Sequence, residues 1–335
     1  MKTTVKFSIV IIVLLLAGVS SGLSKTKIRF ATIAPEGSTW MVVMREMNDR
    51  LIEESGGEVE FKFYPNMTMG DEKDVIRKMR FGQLQAAGFT GYGLGEILPE
   101  IRILELPYLF NNDEEVDLIA ESLYDYFSNA LTEKGYVLLG WADVGWVYFL
   151  SNVRVSEPKD LKTSKVWMWQ GDPLAESFFQ ELDKSPVALP ITDVLLSLQT
   201  GMLDAVYCSP MAALALQWFT RVEYISDVPF THAMGAVLMD KKAFDKLDEN
   251  EQTVLLSVCK TSLKSLVEMS RLDNVEAYEQ LSKEGLTVVK STNEQRHKMQ
   301  VIGERVNQKL TGDLFPSSLF NRIDSLLVEY RNNKD

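Results

Sequence analysis

The sequence predicts an α/β protein that folds as two lobes. Short apolar or alternating segments, which are typical of strands, alternate with segments of helical periodicity along most of the chain, and this order indicates β-α-β units. About 310 residues follow an apolar N-terminal segment, which is more than one hydrophobic core usually serves. We therefore expect two domains with mostly parallel sheets.

The elements of the first half follow from apolar spacing and from turn residues. A strand at residues 28–30 precedes a helix that Ser38 caps and that Gly56 and Gly57 end. The remaining predicted elements are a strand at 59–63, a helix from Asp71 to Gly82, a strand at 84–89, a helix over 116–127 and a strand at 136–141.

The second half continues the pattern and ends in helices. The predicted elements are strands at 147–150, 166–169 and 205–208, a helix opened by Asp172-Pro173, and a helix capped by Thr192 and ended by Gly201. Residues 241–283 are helical almost without interruption and are long enough to form a spine across both lobes. Capping-box spacing at 291–294 and the apolar residues Leu326, Leu327 and Tyr330 indicate two last helices.

The N-terminus has the composition of an export signal. Two lysines precede an apolar run at residues 7–17, and small residues follow at 18–24, as in secretory signals. The run is too short to span a bilayer comfortably, and no later stretch is long enough to do so. Two outcomes stay open, cleavage after Ser21 or Ser24 and retention of residues 1–24 as an anchor.

The composition argues against several functions. The formal net charge is −12, which disfavours a phosphate-rich partner such as nucleic acid. His232 and His297 are the two histidines, and neither stands in a metal-ligand spacing, so the sequence predicts no metal site, no cofactor and no Ser-His enzyme. Two alternatives stay open for Cys208 and Cys259. They form a disulfide, or both are buried thiols.

Two short motifs that resemble enzyme or nucleotide signatures are better explained as turns. Ser156 and Lys159 have the S-x-x-K spacing of a nucleophilic serine, but a proline and neighbouring charges indicate a surface turn. Residues 91–95 are glycine-rich after a strand, yet they lack the G-x-G-x-x-G order and a following helix start. We predict a flexible turn there that lets backbone approach a ligand, and no enzymatic activity.

Motifs spread along the chain match one family. They are residues 28–40 with Ala34-Pro35-Glu36-Gly37-Ser38, residues 56–72 with Tyr64-Pro65-Asn66 and Met69-Gly70-Asp71-Glu72, Leu106-Pro107-Tyr108-Leu109-Phe110, Ser151-Asn152, residues 158–162, and Leu198-Gln199-Thr200-Gly201 with Asp204. Together they resemble the solute receptors of tripartite ATP-independent periplasmic (TRAP) transporters. The resemblance covers almost all of the chain after the N-terminal segment.

The resemblance implies a bilobed periplasmic-binding-protein fold with hinge strands and a long helix that spans both domains. Lobe I would hold residues 25–144 and 233–272, and lobe II residues 145–232 and 273–335 with the C-terminal helices. It also implies a periplasmic, non-catalytic receptor that closes on its ligand and delivers it to TRAP membrane permease subunits. Family members that lack a ligand-binding arginine can work with a periplasmic tetratricopeptide-repeat subunit, which the resemblance permits as a further partner.

The departures from the family pattern decide the predicted ligand. Acid-binding members project an arginine from the strand aligned with residues 165–168, and its planar fork holds the ligand carboxylate. Trp167 stands at that position here, and two further polar or basic positions align with Val147 and Cys208. A carboxylate buried without a partner would lose several kcal/mol of solvation free energy. The sequence therefore predicts a hydrophobic or amphipathic small molecule.

The predicted ligand-binding residues come from both lobes. They are Trp146, Val147, Trp167, Trp169, Tyr207, Cys208 and Met211 in lobe II, and Trp40, Glu72, Phe89 and Tyr92 in lobe I. Glu72 is expected to fix a loop or to meet a polar end of the ligand, and several tryptophans have the alternative of packing in the core. Two other functions stay open, a periplasmic lipid carrier or chaperone-like interaction protein that uses the same cleft, and an organic-acid receptor with a non-standard cationic clamp.

Overall fold

A computed structural model of the chain describes residues 25–334, and the predicted signal or anchor at 1–24 lies outside them. The described residues form a mixed α/β fold with two five-stranded sheets and one two-stranded sheet. Within this part of the chain, no helix is both long and apolar enough to cross a membrane.

Twelve strands occur in the described residues. In chain order they are β1 (Thr26–Ala31), β2 (Val59–Tyr64), β3 (Ala86–Thr90), β4 (Tyr136–Trp141), β5 (Gly145–Ser151), β6 (Trp167–Trp169), β7 (Val187–Leu189), β8 (Ala205–Cys208), β9 (Tyr224–Ser226), β10 (Thr231–Ala233), β11 (Gly235–Asp240) and β12 (Thr287–Val289). The first sheet has the order β2-β1-β3-β11-β4, and the second has the order β10-β5-β9-β12 with β8 paired to β5. A bridge from Val166 to Ala205 attaches the small β6-β7 sheet to the second sheet.

Both large sheets are mixed, whereas the sequence predicted mostly parallel ones. β1 pairs in parallel with β2 and β3, but β11 runs antiparallel to β3 and β4. In the second sheet β5 is antiparallel to β8, β9 and β10, and β9 is parallel to β12. The reason is that β5 and β11 each follow a crossing from one sheet to the other, and hydrophobic periodicity does not record the direction in which a strand enters a sheet.

Twelve α-helices accompany these strands in the described residues. They are α1 (Thr39–Glu54), α2 (Glu72–Arg80), α3 (Gly91–Ile97), α4 (Asp113–Ser122), α5 (Tyr124–Glu133), α6 (Pro173–Glu181), α7 (Val194–Gln199), α8 (Pro210–Ala215), α9 (Lys241–Phe244), α10 (Glu249–Lys283), α11 (Asn293–Leu310) and α12 (Ser317–Asn332). Short 3-10 segments lie at Pro99–Glu105, Pro158–Thr163, Ile191–Asp193 and Trp218–Arg221.

Three predicted helix boundaries are wrong. The pattern over 116–127 is two helices, α4 and α5, because the chain breaks its helical course at Leu123. Thr192 does not cap α7, because it lies in a 3-10 segment that precedes the helix. The capping box of α11 joins Thr292 to Gln295, one residue later than predicted, with the Gln295 N–H donating to the Thr292 hydroxyl at 3.3 Å.

Helix α10 is the predicted spine. It is 35 residues long and starts at a capping box between Asp248 and Glu251. It contacts α1 and β4 of lobe I and α8 and β5 of lobe II. In its second half, Asn274 donates to the Val144 carbonyl at 3.0 Å and accepts from the Met211 N–H at 3.1 Å. The helix therefore connects both lobes through packing and through a buried amide.

The last helix departs from the predicted organisation. The sequence grouped residues 273–335 with lobe II, but α12 contacts α4 of lobe I. Arg331 of α12 donates to the Glu115 carboxylate at 2.7 Å and to the Leu109 carbonyl at 2.9 Å. α11, by contrast, packs against α6 of lobe II. The two C-terminal helices thus contact both lobes. The predicted division of the chain into lobes stays a prediction.

A buried ionic cluster lies where the chain crosses between the lobes. Nε2 of His232, in β10, lies 3.2 Å from Oδ1 of Asp143, which follows β4. Arg271 of α10 donates from Nε to Asp143 at 2.9 Å and from both terminal nitrogens to Asp117. Burial alone would raise the pKa of Asp143, but His232 and Arg271 lower it overall. The cluster ties the hinge strands to the spine helix.

Candidate ligand-binding site

A cavity of about 150 Å³ lies between the lobes. Its wall is built almost entirely from aromatic and aliphatic side chains of both lobes. Six of the predicted ligand-binding residues line it, namely Tyr92, Val147, Trp167, Trp169, Tyr207 and Cys208.

Trp167 presents an apolar surface to the cavity that it lines. The residue is 1% exposed, and its indole N–H donates to the Leu189 carbonyl of β7 at 3.0 Å. Its ring stacks on Tyr207 at a centroid distance of 5.2 Å and meets Trp218 edge-on at 5.3 Å. Because backbone satisfies its one polar atom, the indole offers the ligand packing and no charge.

A second cavity of about 100 Å³ adjoins the first. The two cavities share the lining residues Ile33, Thr90, Val144, Ala212 and Leu216. Three more of the predicted residues line this second cavity, namely Trp40, Phe89 and Met211. Nine of the predicted residues therefore surround one continuous region between the lobes.

The other two predicted residues, Trp146 and Glu72, line neither cavity. Trp146 turns toward α4, because its indole N–H donates to Asp113 at 2.8 Å, and its ring packs edge-on against His232. Contact of these two residues with a ligand stays a prediction.

Glu72 fixes the start of helix α3. Its carboxylate accepts from the Thr90 N–H at 2.6 Å, from the Thr90 hydroxyl at 2.8 Å and from the Gly93 N–H at 2.9 Å. The side chain thereby satisfies N–H groups that a helix N-terminus leaves unpaired. Burial raises the pKa of Glu72 to about 8, although these hydrogen bonds oppose the shift. Of the two roles that the sequence left open, the structure favours loop fixing.

The lobes touch through a stacked aromatic pair. Tyr92 of α3 and Trp169 of β6 stack at 4.7 Å with an angle of 15° between their planes. The Tyr92 hydroxyl donates to the Gln170 carbonyl at 3.0 Å, and Lys73 donates to the same carbonyl at 3.0 Å. The Trp169 N–H lies 3.4 Å from both oxygens of Asp71. The cleft is therefore closed in this structure.

An ionic cluster that the sequence analysis missed lines the same cavity. It consists of Arg102 and Glu105 of lobe I and Asp172 of lobe II, which are 5%, 6% and 3% exposed. Arg102 donates from Nη1 to Glu105 and from Nη2 to both oxygens of Asp172, at 2.8 and 3.1 Å. Arg102 thus places a cation in the cleft, although Trp167 stands at the position where acid-binding family members carry their arginine. The guanidinium is nevertheless paired with two carboxylates, so it has no unbalanced charge to offer an acid.

Three glycines of α3 make room for this cluster and for Glu72. A Cβ at Gly91 would overlap the carboxylate of Glu105, and one at Gly95 would lie 2.6 Å from Cδ of Arg102. A Cβ at Gly93 would lie 2.7 Å from the Glu72 carboxylate. The predicted flexible turn at 91–95 is therefore wrong, because the glycines allow charged side chains to approach a regular helix closely.

The polar atoms in the wall include two without a partner in the described residues, Nε of Arg102 and the Tyr207 hydroxyl. The Tyr207 hydroxyl is buried and makes no hydrogen bond to any described residue, and burial raises the Tyr207 pKa. Cys208 beside it is a free thiol, as is Cys259 in α10. Burial raises the pKa of both thiols, to about 12 for Cys259, so neither is an activated nucleophile.

The remaining enzyme-like motifs carry no reactive arrangement in the described residues. Ser156 donates its hydroxyl to Asp160 at 2.9 Å, within the turn that opens a 3-10 segment, and Lys159 pairs with Glu157. No group of three or more His, Cys, Asp or Glu residues in residues 25–334 could hold a metal ion.

Known proteins share this fold and much of the sequence pattern. The family described as bacterial extracellular solute-binding protein, family 7, matches residues 30–312. The 2,3-diketo-L-gulonate-binding periplasmic protein YiaO of Escherichia coli is 23% identical over 240 residues, which are 71% of this chain and 73% of YiaO.

Solved structures agree over most of the chain. A TRAP periplasmic solute-binding protein of Haemophilus influenzae with bound L-gulonate has a TM-score of 0.84 and 17% identity, covering 90% of this chain and 100% of that chain. The sugar acid binding protein DctPAm of Advenella mimigardefordensis, in complex with galactonate, has a TM-score of 0.85 and 19% identity, covering 90% and 98%. At these identities the likeness concerns the fold.

Proposed function

Since the chain belongs to the bacterial extracellular solute-binding protein family 7 and is a TRAP-type solute receptor and not an enzyme, we propose that its ligand is a hydrophobic or amphipathic small molecule. The ligand binds between the lobes and is delivered to TRAP membrane permease subunits. The observation that carries the proposal is the apolar wall of the interlobe cavity, in which Trp167 is 1% exposed.

The energetics of the cavity support this ligand class. Its aromatic and aliphatic side chains bury an apolar ligand at a gain of about 25 cal/mol for each Å² removed from water. A sugar acid would bring several hydroxyl groups and a carboxylate to a wall with few free donors. Each polar group buried without a partner costs about 1–3 kcal/mol. The wall therefore favours apolar molecules over the sugar acids found in the structural relatives.

An organic acid is the second candidate, and two observations favour it. Arg102 lines the cavity, and the relatives from Haemophilus influenzae and Advenella mimigardefordensis have gulonate and galactonate bound. Nε of Arg102 is a buried donor without a partner in the described residues, but Nη1 and Nη2 already bind Glu105 and Asp172. An acid would therefore bring a third carboxylate to one cation. If it drew the guanidinium away from a carboxylate, leaving that buried partner unpaired would cost about 3–5 kcal/mol, so the apolar ligand is the better supported of the two.

A thermal-melting panel tests the choice of ligand class. A ligand that binds only the folded protein stabilises it by RT ln(1 + [L]/Kd). We expect aromatic and alkyl compounds without a carboxylate to raise the melting temperature, and gulonate, galacturonate and succinate to leave it unchanged. The shift should shrink in Trp167→Leu and persist in Trp141→Leu, whose tryptophan does not line the cavity. A shift with the three acids alone would refute the proposal.

The location and partners follow from the same assignment. We propose that the chain is exported to the periplasm by residues 1–24, which are either removed or kept as an anchor. The family supports the periplasm as the place of action, and a tetratricopeptide-repeat subunit is proposed as a second partner beside the permease. Mass measurement of the protein from a periplasmic extract and from membranes distinguishes the cleaved chain from the anchored one.

A further inference from the structure

The charges that face the main cavity do not balance. Among its described lining residues, Arg102 carries a positive charge and Glu105 and Asp172 carry negative charges. Glu105 accepts from the Met234 N–H at 2.8 Å as well as from Arg102, and Asp172 accepts from the Leu174 N–H at 3.0 Å as well as from Arg102. The cluster therefore has a formal charge of −1 in an apolar wall.

The hydroxyl of Tyr207 adds a second, independent sign of a polar ligand group. It is buried, it belongs to the lining of the same cavity, and it has no partner among residues 25–334. A buried hydroxyl without a hydrogen bond is uncommon and costs free energy. An incoming N–H or O–H group would supply the missing partner, because a phenol oxygen accepts as well as donates.

We propose that the ligand carries a primary amine, protonated as an ammonium group, on an apolar aromatic or alkyl body. The ammonium binds beside Glu105 and Asp172 and balances their excess negative charge, and it donates to the Tyr207 oxygen. An ammonium group has three donors and no acceptor, which matches the carboxylate oxygens of Glu105 and Asp172 and the phenol oxygen of Tyr207, whereas the unpaired Nε of Arg102 is a donor that it leaves without a partner. This assignment rests on the proposed function, because it presumes that the body of the ligand fills the apolar cavity.

The same charges disfavour an acid at this end of the cavity. A carboxylate would add a second negative charge to a site in which Arg102 is already shared by two carboxylates. Charges repel more strongly away from water than in it. The adjoining cavities of about 150 and 100 Å³ limit the size of the ligand. A dry cavity of about 150 Å³ holds a benzene ring. A phenyl ring on a short amine-bearing chain fits these limits.

Calorimetric titration of the purified protein with three matched compounds tests the proposal. Phenylbutylamine, phenylbutanol and phenylbutanoic acid share one body and differ in the head group. We expect the amine to bind most tightly and the acid most weakly, with a ratio of about tenfold or more between their Kd values. If the acid binds as tightly as the amine, the amine assignment is overturned and the apolar receptor stands. If none of the three binds, both fail.

Two variants test whether the named carboxylates cause the preference. Asp172→Asn removes one negative charge and keeps a helix-capping side chain of the same shape. Glu105→Gln removes the other negative charge, within lobe I. We expect either variant to lower the preference for amine over acid by about tenfold. The matched control Asp183→Asn changes a side chain that is 97% exposed and should keep the wild-type preference. An unchanged preference in both cluster variants would overturn the assignment.

Discussion

Arg102 and Asp172 form an ion pair across the cleft, with Nη2 of the arginine 2.8 Å from Oδ2 of the aspartate. The arginine belongs to the 3-10 segment Pro99–Glu105 of lobe I, and the aspartate caps helix α6 of lobe II. Both side chains are buried in an otherwise apolar region. Opening the cleft would separate these charges, so the pair can form only in the closed arrangement.

Replacing the arginine should destabilise the closed protein strongly. Arg102→Ala leaves the carboxylates of Glu105 and Asp172 buried without their shared partner, and a change of this kind costs about 3–5 kcal/mol of unfolding free energy. Urea unfolding measures the loss. The control Arg45→Ala removes a pair with Glu36 that is about half exposed, and it should cost less than about 1 kcal/mol. Equal losses in the two variants would contradict the buried pairing.

A methyl group at Gly91 should be destabilising although the residue is helical. Alanine in place of glycine normally stabilises a helix by about 1 kcal/mol, but here the new Cβ would overlap the Glu105 carboxylate. The control Gly135→Ala has open space and a φ of +89°, so it carries backbone strain of about 1–2 kcal/mol. We expect the larger loss of unfolding free energy in Gly91→Ala. A Gly91→Ala protein as stable as the wild type would contradict the packing.

The order of elements could be predicted from the sequence, because amphipathic periodicity and capping residues act locally. Strands β4 and β8 begin and end at the residues that the apolar pattern of the sequence predicted. The ionic cluster could not be found this way, since Arg102 and Asp172 are 70 residues apart in the chain and no local pattern links them. Asp172 was recognised only as a helix cap. The glycines at 91–95 were a visible signal of close approach, but their spacing does not reveal that charged side chains approach them.

The buried carboxyl of Glu72 should give stability a measurable pH dependence. Burial raises its pKa from 4.5 to about 8, so the native protein binds this proton more tightly than the unfolded chain does. The stabilisation from this group is complete below pH 4.5 and is lost as the pH rises through about 8.

Comparison of Glu72→Gln with the wild type isolates this effect. Between pH 5 and pH 8, the unfolding free energy of the wild type should fall relative to the variant, by at most about 1.4 kcal/mol per pH unit. Chemical unfolding at several pH values measures the difference. Glu279→Gln, on the exposed face of α10, is the control and should follow the wild type. A constant difference between Glu72→Gln and wild type would refute the raised pKa.

The two cysteines should behave as protected free thiols. Both are unpaired in the structure, and burial raises both pKa values. We expect a chromogenic disulfide reagent at pH 8 to react slowly with the native protein. In denaturant without reductant it should titrate both thiols rapidly. Rapid reaction of Cys208 in the native state, or a missing thiol after unfolding, would show that the cavity wall or the thiol pairing differs from this structure.

Native mass spectrometry of the protein purified from its own cells tests the central claim most directly. The account predicts that the protein retains an apolar or amphipathic molecule, which organic solvent releases and whose mass and fragmentation identify it. Trp167→Leu should retain less of it than Trp141→Leu. A co-purified sugar acid or dicarboxylate, held equally well by both variants, would contradict the account.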